Sequence, residues 1–379
     1  MNRPTFHVCI ATGQNLANLI PALQLGARRV AILETPAMKA SAQNLKTALA
    51  AHGIEVERHL FDDSTPERIL TSADEIATTL GERALVFNVT GGHKLMTLAL
   101  SEKMRLADEL HLLYCETRHD RLDWLAPQAE TEPLDNLLKL EDFLLTQGYR
   151  INRRGERDGY WAQDAQQRET LTQKLGDEAD KLARFLGTLN RLADRCLSNE
   201  PAGPYQFEQE LEFTPGGRNA DVLELAQRHG LLSWDGDTRL VFRNEAAARY
   251  FRGGWLEEYA WIKLRGLRPH DWSVNLESKT LNQTLNEYDA LVAHRNRLLL
   301  IECKTTRFGR DGLKDASYIY KLAQLAQQTG GIMARSLLLS ARPVSDEVRQ
   351  RARDSQVDIL AGEAIKTLPD YLRKWMNGQ

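Results

Sequence analysis

The sequence predicts an α/β protein of two domains and a connector: an N-terminal Rossmann-like, doubly wound sheet over 1–150, a helical, winged-helix-like connector over 151–244, and a C-terminal α/β domain over 245–379. Three observations predict this. From Thr5 to Cys115 short apolar runs alternate with helical stretches. From about Gln163 to Leu197 the chain is polar, charge-dense and helical in pattern, until NEPAGP at 199–204 breaks it. From Glu245 a helix leads into three strand-like runs close together.

In the first domain HVCIA, RRVAILET, IEVERHLF, ALVFNV and ELHLLYC read as strands, with helices between them. Such alternation implies right-handed crossovers and a mostly parallel sheet, whose strands stay apolar because helices cover both faces. DRLDWLA reads as a further strand, followed by a helix ending near Gly148. In the connector, a helix over 219–229 precedes LLSWDGDTRLVF, a hairpin turning at Asp235-Gly236. The last domain reads as a helix over 245–265 and the strands WSVNLES, NEYDALVAH and RLLLIECKTT. A helix over 313–328, the strand SLLLS and a terminal helix-strand-helix complete it.

A chain of 379 residues with 42% hydrophobic content has room for two cores. No segment is long and apolar enough to span a bilayer and no export leader precedes the first strand, so a cytoplasmic protein with no membrane partner is expected. The four cysteines are scattered without metal-ligand spacing, which argues against a zinc site. A net charge of -3 gives no global attraction to a polyanion, so any nucleic acid must be held locally.

The chemistry concentrates at Leu298–Thr306, where an apolar run ends in Glu302-Cys303-Lys304. On a strand, positions two apart share a face, which sets Glu302 beside Lys304 and sends Cys303 to the other side. Asp289 lies thirteen positions before Glu302. A turn over 294–297 would pair the two strands and bring the carboxylates together. Converging carboxylates repel unless a cation sits between them, and an oxygen-rich site suits Mn2+ or Mg2+. An ordinary cross-strand ion pair, worth roughly 0.2–1 kcal/mol, would share the E-x-K pattern. The preceding Asp, the apolar strand and the upstream acidic helix Gly253–Glu258 favour the metal.

This D-x(12)-E-C-K pattern behind a G-x-x-L-E helix resembles the restriction-endonuclease-like PD-(D/E)xK superfamily. The resemblance implies a metal-dependent phosphodiesterase with Asp289, Glu302 and the main-chain carbonyl of Cys303 on the ion and Lys304 at the water and phosphate. It further implies Glu257 as a helix ligand, with Glu258 the close alternative, and Lys321 as an assisting residue. Glu287 faces the same way as Asp289, and Arg307, Arg310 and Lys314 are positioned for phosphate contacts.

At the other end, the first strand is followed by Ala11-Thr12-Gly13-Gln14-Asn15 instead of G-x-G-x-x-G, which speaks against a dinucleotide. The loop after the fourth strand reads Asn88-Val89-Thr90-Gly91-Gly92-His93-Lys94-Leu95-Met96. In a 3-2-1-4-5 sheet these two loops line one crevice. Glycine amides, the Thr90 hydroxyl, a helix N-terminus and Lys94 suit an anionic nucleotide, with Gln14, Asn15 and Asn18 as candidates for ribose or base contacts. A capped strand-to-helix turn would explain either loop alone. His93 reads as a loop residue and not a catalyst.

N-x-T-G-G-x-K-x-M, together with T-x-Q-N-x-x-N-L-I-P after the first strand, resembles the CRISPR-associated Rossmann fold, CARF. With a PD-(D/E)xK domain behind it, the chain resembles the cyclic-oligoadenylate-activated nucleases of type III CRISPR defence. That resemblance implies a homodimer, cyclic tetra-adenylate as activator, and single-stranded RNA or DNA, or supercoiled DNA, as substrate. The competing readings are an ungated repair or restriction nuclease and a nucleotide-sensing DNA-binding regulator that cuts nothing.

Overall fold

The computed structural model describes residues 3–106, 109–198, 205–280, 283–306 and 312–379. Strands β1 (Phe6–Ile10), β2 (Arg29–Glu34), β3 (Glu55–Leu60), β4 (Leu85–Asn88) and β5 (Leu110–Glu116) alternate with helices α1 (Leu16–Gln24), α2 (Lys39–Ala51), α3 (Pro66–Leu80) and α4 (Lys94–Lys103). They pair in parallel in the order β3-β2-β1-β4-β5, and β6 (Arg121–Ala126) and β7 (Glu130–Pro133) extend the sheet antiparallel to seven strands. β1 is central: Cys9 lies between Ile32 and Asn88. The strand order reverses between β1 and β4, so the loops at their carboxyl ends open a crevice there.

After α5 (Leu140–Thr146), β8 (Tyr149–Arg153) pairs antiparallel with a strand more than a hundred residues downstream. The chain thus enters the C-terminal sheet at Tyr149, where the sequence pattern places the end of the first domain. The expected single helix over 163–197 is three: α6 (Gly159–Gln167), α7 (Glu169–Asp177) and α8 (Ala179–Leu197). Long-range contacts account for the breaks. Arg168, between α6 and α7, ion-pairs with Glu258, and a Cβ on Gly176 would overlap the Tyr259 ring. β9 (Glu208–Glu210), α9 (Arg218–Arg228), β10 (Leu232–Trp234) and β11 (Arg239–Phe242) complete the connector, with the three strands in one small sheet. The hairpin turns where the sequence places it, with Gly236 at φ 87°.

The expected helix over 245–265 is kinked: α10 (Glu245–Arg249) meets α11 (Trp255–Leu267) through a segment whose backbone is non-helical at Gly253. β12 (Asp271–Thr280), β13 (Leu285–His294), β14 (Arg297–Lys304), α12 (Gly312–Gly330), β15 (Ala334–Ser340), α13 (Asp346–Asp354), β16 (Val357–Ala361) and α14 (Leu368–Met376) follow, close to the expected elements. The six-stranded sheet runs β16-β15-β14-β13-β12-β8. β13 and β14 meet through a two-residue turn with Arg295 at φ 50° and Asn296 at φ 55°, the twist that a tight hairpin requires.

The two large sheets share a core. Cys9, Leu19, Trp124 and Phe143 pack in one buried cluster with Leu276, Tyr288, Leu300 and Leu338. The Asn296 side chain accepts the amides of Leu137 and Leu138 and donates to the Asp135 carbonyl, clamping the β13–β14 turn to the segment between the sheets. Among the described residues, no helix is long and apolar enough to cross a membrane.

Candidate active site

β13 and β14 run antiparallel with Ala290 opposite Ile301, a register that sets Asp289 across from Glu302. Asp289 stands mid-strand, its carboxylate accepting the Cys303 amide at 2.7 Å. Burial, then the charge of Glu302, pushes its carboxyl up to about 7. Glu257, in the first turn of α11, is pushed up to about 8 by burial and by Asp289, while a hydrogen bond with Asn275 opposes the shift. Lys304 Nζ lies 2.5 Å from Glu302 Oε1 and 5.7 Å from the centroid of the Tyr318 ring. Burial would lower the Lys304 pKa, but Glu302 and Asp289 outweigh it and the ammonium is held charged.

A metal fits this donor set. Glu257 and Asp289 are carboxylates in a poorly solvated site, where Asp289 raises the cost of ionising Glu257 and Glu302 that of ionising Asp289, and an oxygen-seeking divalent cation relieves that cost. With Glu302 turned onto Lys304, no three acid, histidine or cysteine side chains among the described residues are already gathered around one point.

The two neighbouring helix acids are told apart by their partners. Glu258 is buried and takes Arg168 at 3.0 Å and 2.5 Å, with Thr172 at 3.2 Å; it joins α11 to the connector and is closed to a metal. Glu257 is the acid that faces Asp289. Glu287 is exposed, opposite Glu277. The Cys303 thiol is buried under the Leu256 carbonyl, on the other side of the strand from Glu302 as the alternation requires. Lys321 is exposed on α12, one turn beyond Tyr318. Arg307 and Arg310 lie outside the described residues, as does the side chain of Lys314.

Sequence reasoning missed the residues that brace the site. Thr305, just past Lys304, donates to the Arg252 carbonyl at 3.0 Å and accepts from Asn190 of α8 at 3.1 Å, and Arg252 pairs with Asp194 of α8 at 2.7 Å. α8 is thereby fastened to the end of β14. Only an i, i+4 polar pair on one face of a predicted helix marked this in the sequence.

In the N-terminal crevice the predicted residues divide in two. Asn15, Asn18 and Asn88 are buried and build the loops. Asn15 caps the Thr12 amide and reaches Ser41, Asn18 donates to the Ile10 carbonyl at 2.8 Å, and Asn88 donates to the Ala17 carbonyl at 2.8 Å. Asn88 also accepts the Thr90 amide at 3.1 Å, while the Thr90 hydroxyl accepts the Cys115 amide at 2.7 Å. Met96 is core. Thr12 and Gln14 are half-buried, and Gly13, His93 and Lys94 are exposed around the opening. Gly91 and Gly92 lie so close to Ile10 that a Cβ on either would clash, which holds their backbone against β1. Gln14 reaches outward and its amide oxygen accepts the Ile332 amide at 3.3 Å, in the turn just before β15.

Residues 244–378 match the model of the family described as Card1-like, endonuclease domain. The fold of the whole chain is similar to the crystal structure of VC1899 from Vibrio cholerae, with a TM-score of 0.83 at 24% identity and 98% of each chain covered. It is also similar to Can2 from Sulfobacillus thermosulfidooxidans in complex with cyclic tetra-adenylate, with a TM-score of 0.79 at 23% identity over 98% of this chain and 97% of that one. A type III CRISPR defence DNA nuclease activated by cyclic oligoadenylate matches with a TM-score of 0.57 at 18% identity, this chain spanning 52% of its length. Comparison with curated protein sequences yields no match. Glu257, Asp289, Glu302 and Lys304 all lie inside the span that is similar to Card1-like endonuclease domains, and the chain shares the fold of VC1899 and Can2 over nearly its whole length.

Proposed function

We propose that this protein is a cytoplasmic endonuclease of type III CRISPR defence that uses Mn2+ or Mg2+ and is activated by cyclic tetra-adenylate. Its substrate is single-stranded RNA or DNA, or supercoiled DNA. The observation that carries the reading is the convergence of Glu257 and Asp289, with the Glu302–Lys304 pair, within the span matched by the endonuclease model. The resemblance to the Can2 complex supports the activator.

Asp289, Glu302, Glu257 and the Cys303 carbonyl would hold the ion. A bound divalent cation polarises the scissile phosphate and lowers the pKa of its water. The Cys303 amide fixes Asp289 in orientation, the Asn275 contact fixes Glu257, and Lys304 neutralises charge growing on the phosphate oxygens. In the N-terminal domain the Gly91 and Gly92 amides and Lys94 would hold activator phosphates, beside Thr12, Gly13, Gln14 and His93. Leu95 and Leu98 of α4, 55% and 67% exposed next to that crevice, are the apolar surface that supports a C2 homodimer. The activator sits far from Asp289, so it must bind one arrangement of the dimer more tightly than another.

The test is cleavage of plasmid and labelled single strands with and without cyclic tetra-adenylate and manganese. Cutting should require both, and Asp289→Ala or Glu302→Ala should reduce it to background while circular dichroism stays native. Wild-type rates in both variants would overturn the assignment. Light scattering should give the mass of two chains.

A further inference from the structure

The connector helix fastened to the active site carries a second feature that the cleavage chemistry does not use. Lys181, Arg184, Arg191 and Arg195 are exposed on α8, with the buried Thr188 in the middle of the row. At 100° per residue they fall within a stripe about 80° wide, and at 1.5 Å per residue the stripe is roughly 21 Å long. Among the described residues, Lys181, Arg184 and Arg195 have no ion-pair partner, while Arg191 lies 3.8 Å from Glu212 with both side chains exposed. The protein carries net charge -3, so four cations on one strip are a local departure from the whole.

The stripe has two borders. On one side α8 turns Asn190 and Asp194 to Thr305 and Arg252 at the end of the catalytic strand, and Gly187 lies against the Arg342 guanidinium, two residues past Ser340, the neighbour of Lys304 in the sheet. On the other, Phe185 packs edge-on against Phe213 at 6.3 Å, and Phe213 is 42% exposed. A row of cations flanked by an exposed ring is what a single strand needs: phosphates along the charges and a base stacked on the aromatic face. A duplex hides its base faces and gains nothing from Phe213.

We infer that the α8 stripe with Phe213 is the approach track of the nuclease, binding a single-stranded polynucleotide and leading it to the site beside Lys304. The inference rests on the nuclease reading and names the substrate form. It also gives the connector a task in substrate binding.

The experiment uses the full-length chain. A Glu302→Gln background prevents cutting, and the anisotropy of a fluorescein-labelled 20-mer single-stranded DNA is followed with manganese and cyclic tetra-adenylate present. K181Q/R184Q/R195Q should weaken binding at least tenfold and, with three phosphate contacts gone, lower the slope of log affinity against log salt by about 2. Phe213→Ala should weaken the single strand about tenfold and leave duplex binding within twofold. The matched control R28Q/R83Q/R105Q, at exposed arginines of the N-terminal domain, should bind as the parent does. In an otherwise wild-type background the α8 triple variant should raise KM with kcat within about twofold. If the wild type cuts single strands while the triple variant binds and cuts them as well as the control does, the track is refuted and the nuclease reading stands. Equal loss on duplex and single strand in Phe213→Ala removes the single-strand assignment. A wild type that cuts nothing removes the nuclease reading itself.

Discussion

At the scale of single residues, adjacent acids on one helix have opposite duties because consecutive positions point about 100° apart. Glu258 is 2% exposed and paired to Arg168, so Glu258→Ala strands a guanidinium in a half-closed site and should cost about 3 kcal/mol by urea denaturation. Glu257→Gln should leave the denaturation midpoint unchanged or raised, since an amide takes the place of a carboxyl whose ionisation burial and Asp289 already oppose, yet weaken Mn2+ binding by tenfold or more in calorimetry. The reverse pattern in the two variants would exchange their roles. Lys304→Ala should lose at least a hundredfold in cleavage and keep its metal affinity, because the lysine acts on the phosphate and not on the ion.

Elements are joined by contacts that titrate and contacts that pack. His52, at the end of α2, lies 2.6 Å from buried Asp142 of α5, and this hydrogen bond raises its pKa over the opposing effect of burial, with Lys139 and Glu141 the other charges nearby. A histidine raised on folding stabilises fully below its unfolded pKa, about 6.5, and the gain is lost as pH climbs through the folded value. The stability gap between wild type and His52→Gln should therefore be present at pH 5.5 and closed at pH 9, as measured by urea midpoints. A gap independent of pH would show that the pair acts by packing alone. Where α7 meets α11, Gly176→Ala should cost about 1–3 kcal/mol, because the Tyr259 ring occupies the space its methyl would need.

Over the whole molecule, the loops of the N-terminal crevice and strands β13 and β14 are parts of one packed body. The shared core, the Asn296 clamp and the Gln14 contact at Ile332 run from one sheet to the other. On the proposed function, the apparent affinity for the activator would belong to the equilibrium between arrangements as well as to the crevice. Lys94→Ala should raise the cyclic tetra-adenylate concentration for half-maximal cleavage about tenfold and leave the saturating rate unchanged. An unchanged activation curve, or full activity without activator, would leave the nuclease ungated.

Local pattern was enough for much of this protein. Alternating strands and helices implied the 3-2-1-4-5 sheet, and period-two geometry on Leu298–Thr306 placed Glu302 with Lys304 and opposite Asp289, because these depend on short-range sterics and on runs of apolar residues. What depended on distant partners was decided only in the tertiary structure. β8 crosses into the second sheet because its hydrogen bonds are with β12, and the helix over 163–197 divides because Arg168 must reach Glu258 and Gly176 must meet Tyr259. Glu257 and Glu258 are equally acidic in sequence, and only the fold sets Glu257 toward Asp289 and Glu258 onto Arg168. Asn15, Asn18 and Asn88 look like ligand contacts in sequence, and burial turns them into the scaffold of the crevice, since a polar side chain enclosed among backbone carbonyls is held by those carbonyls.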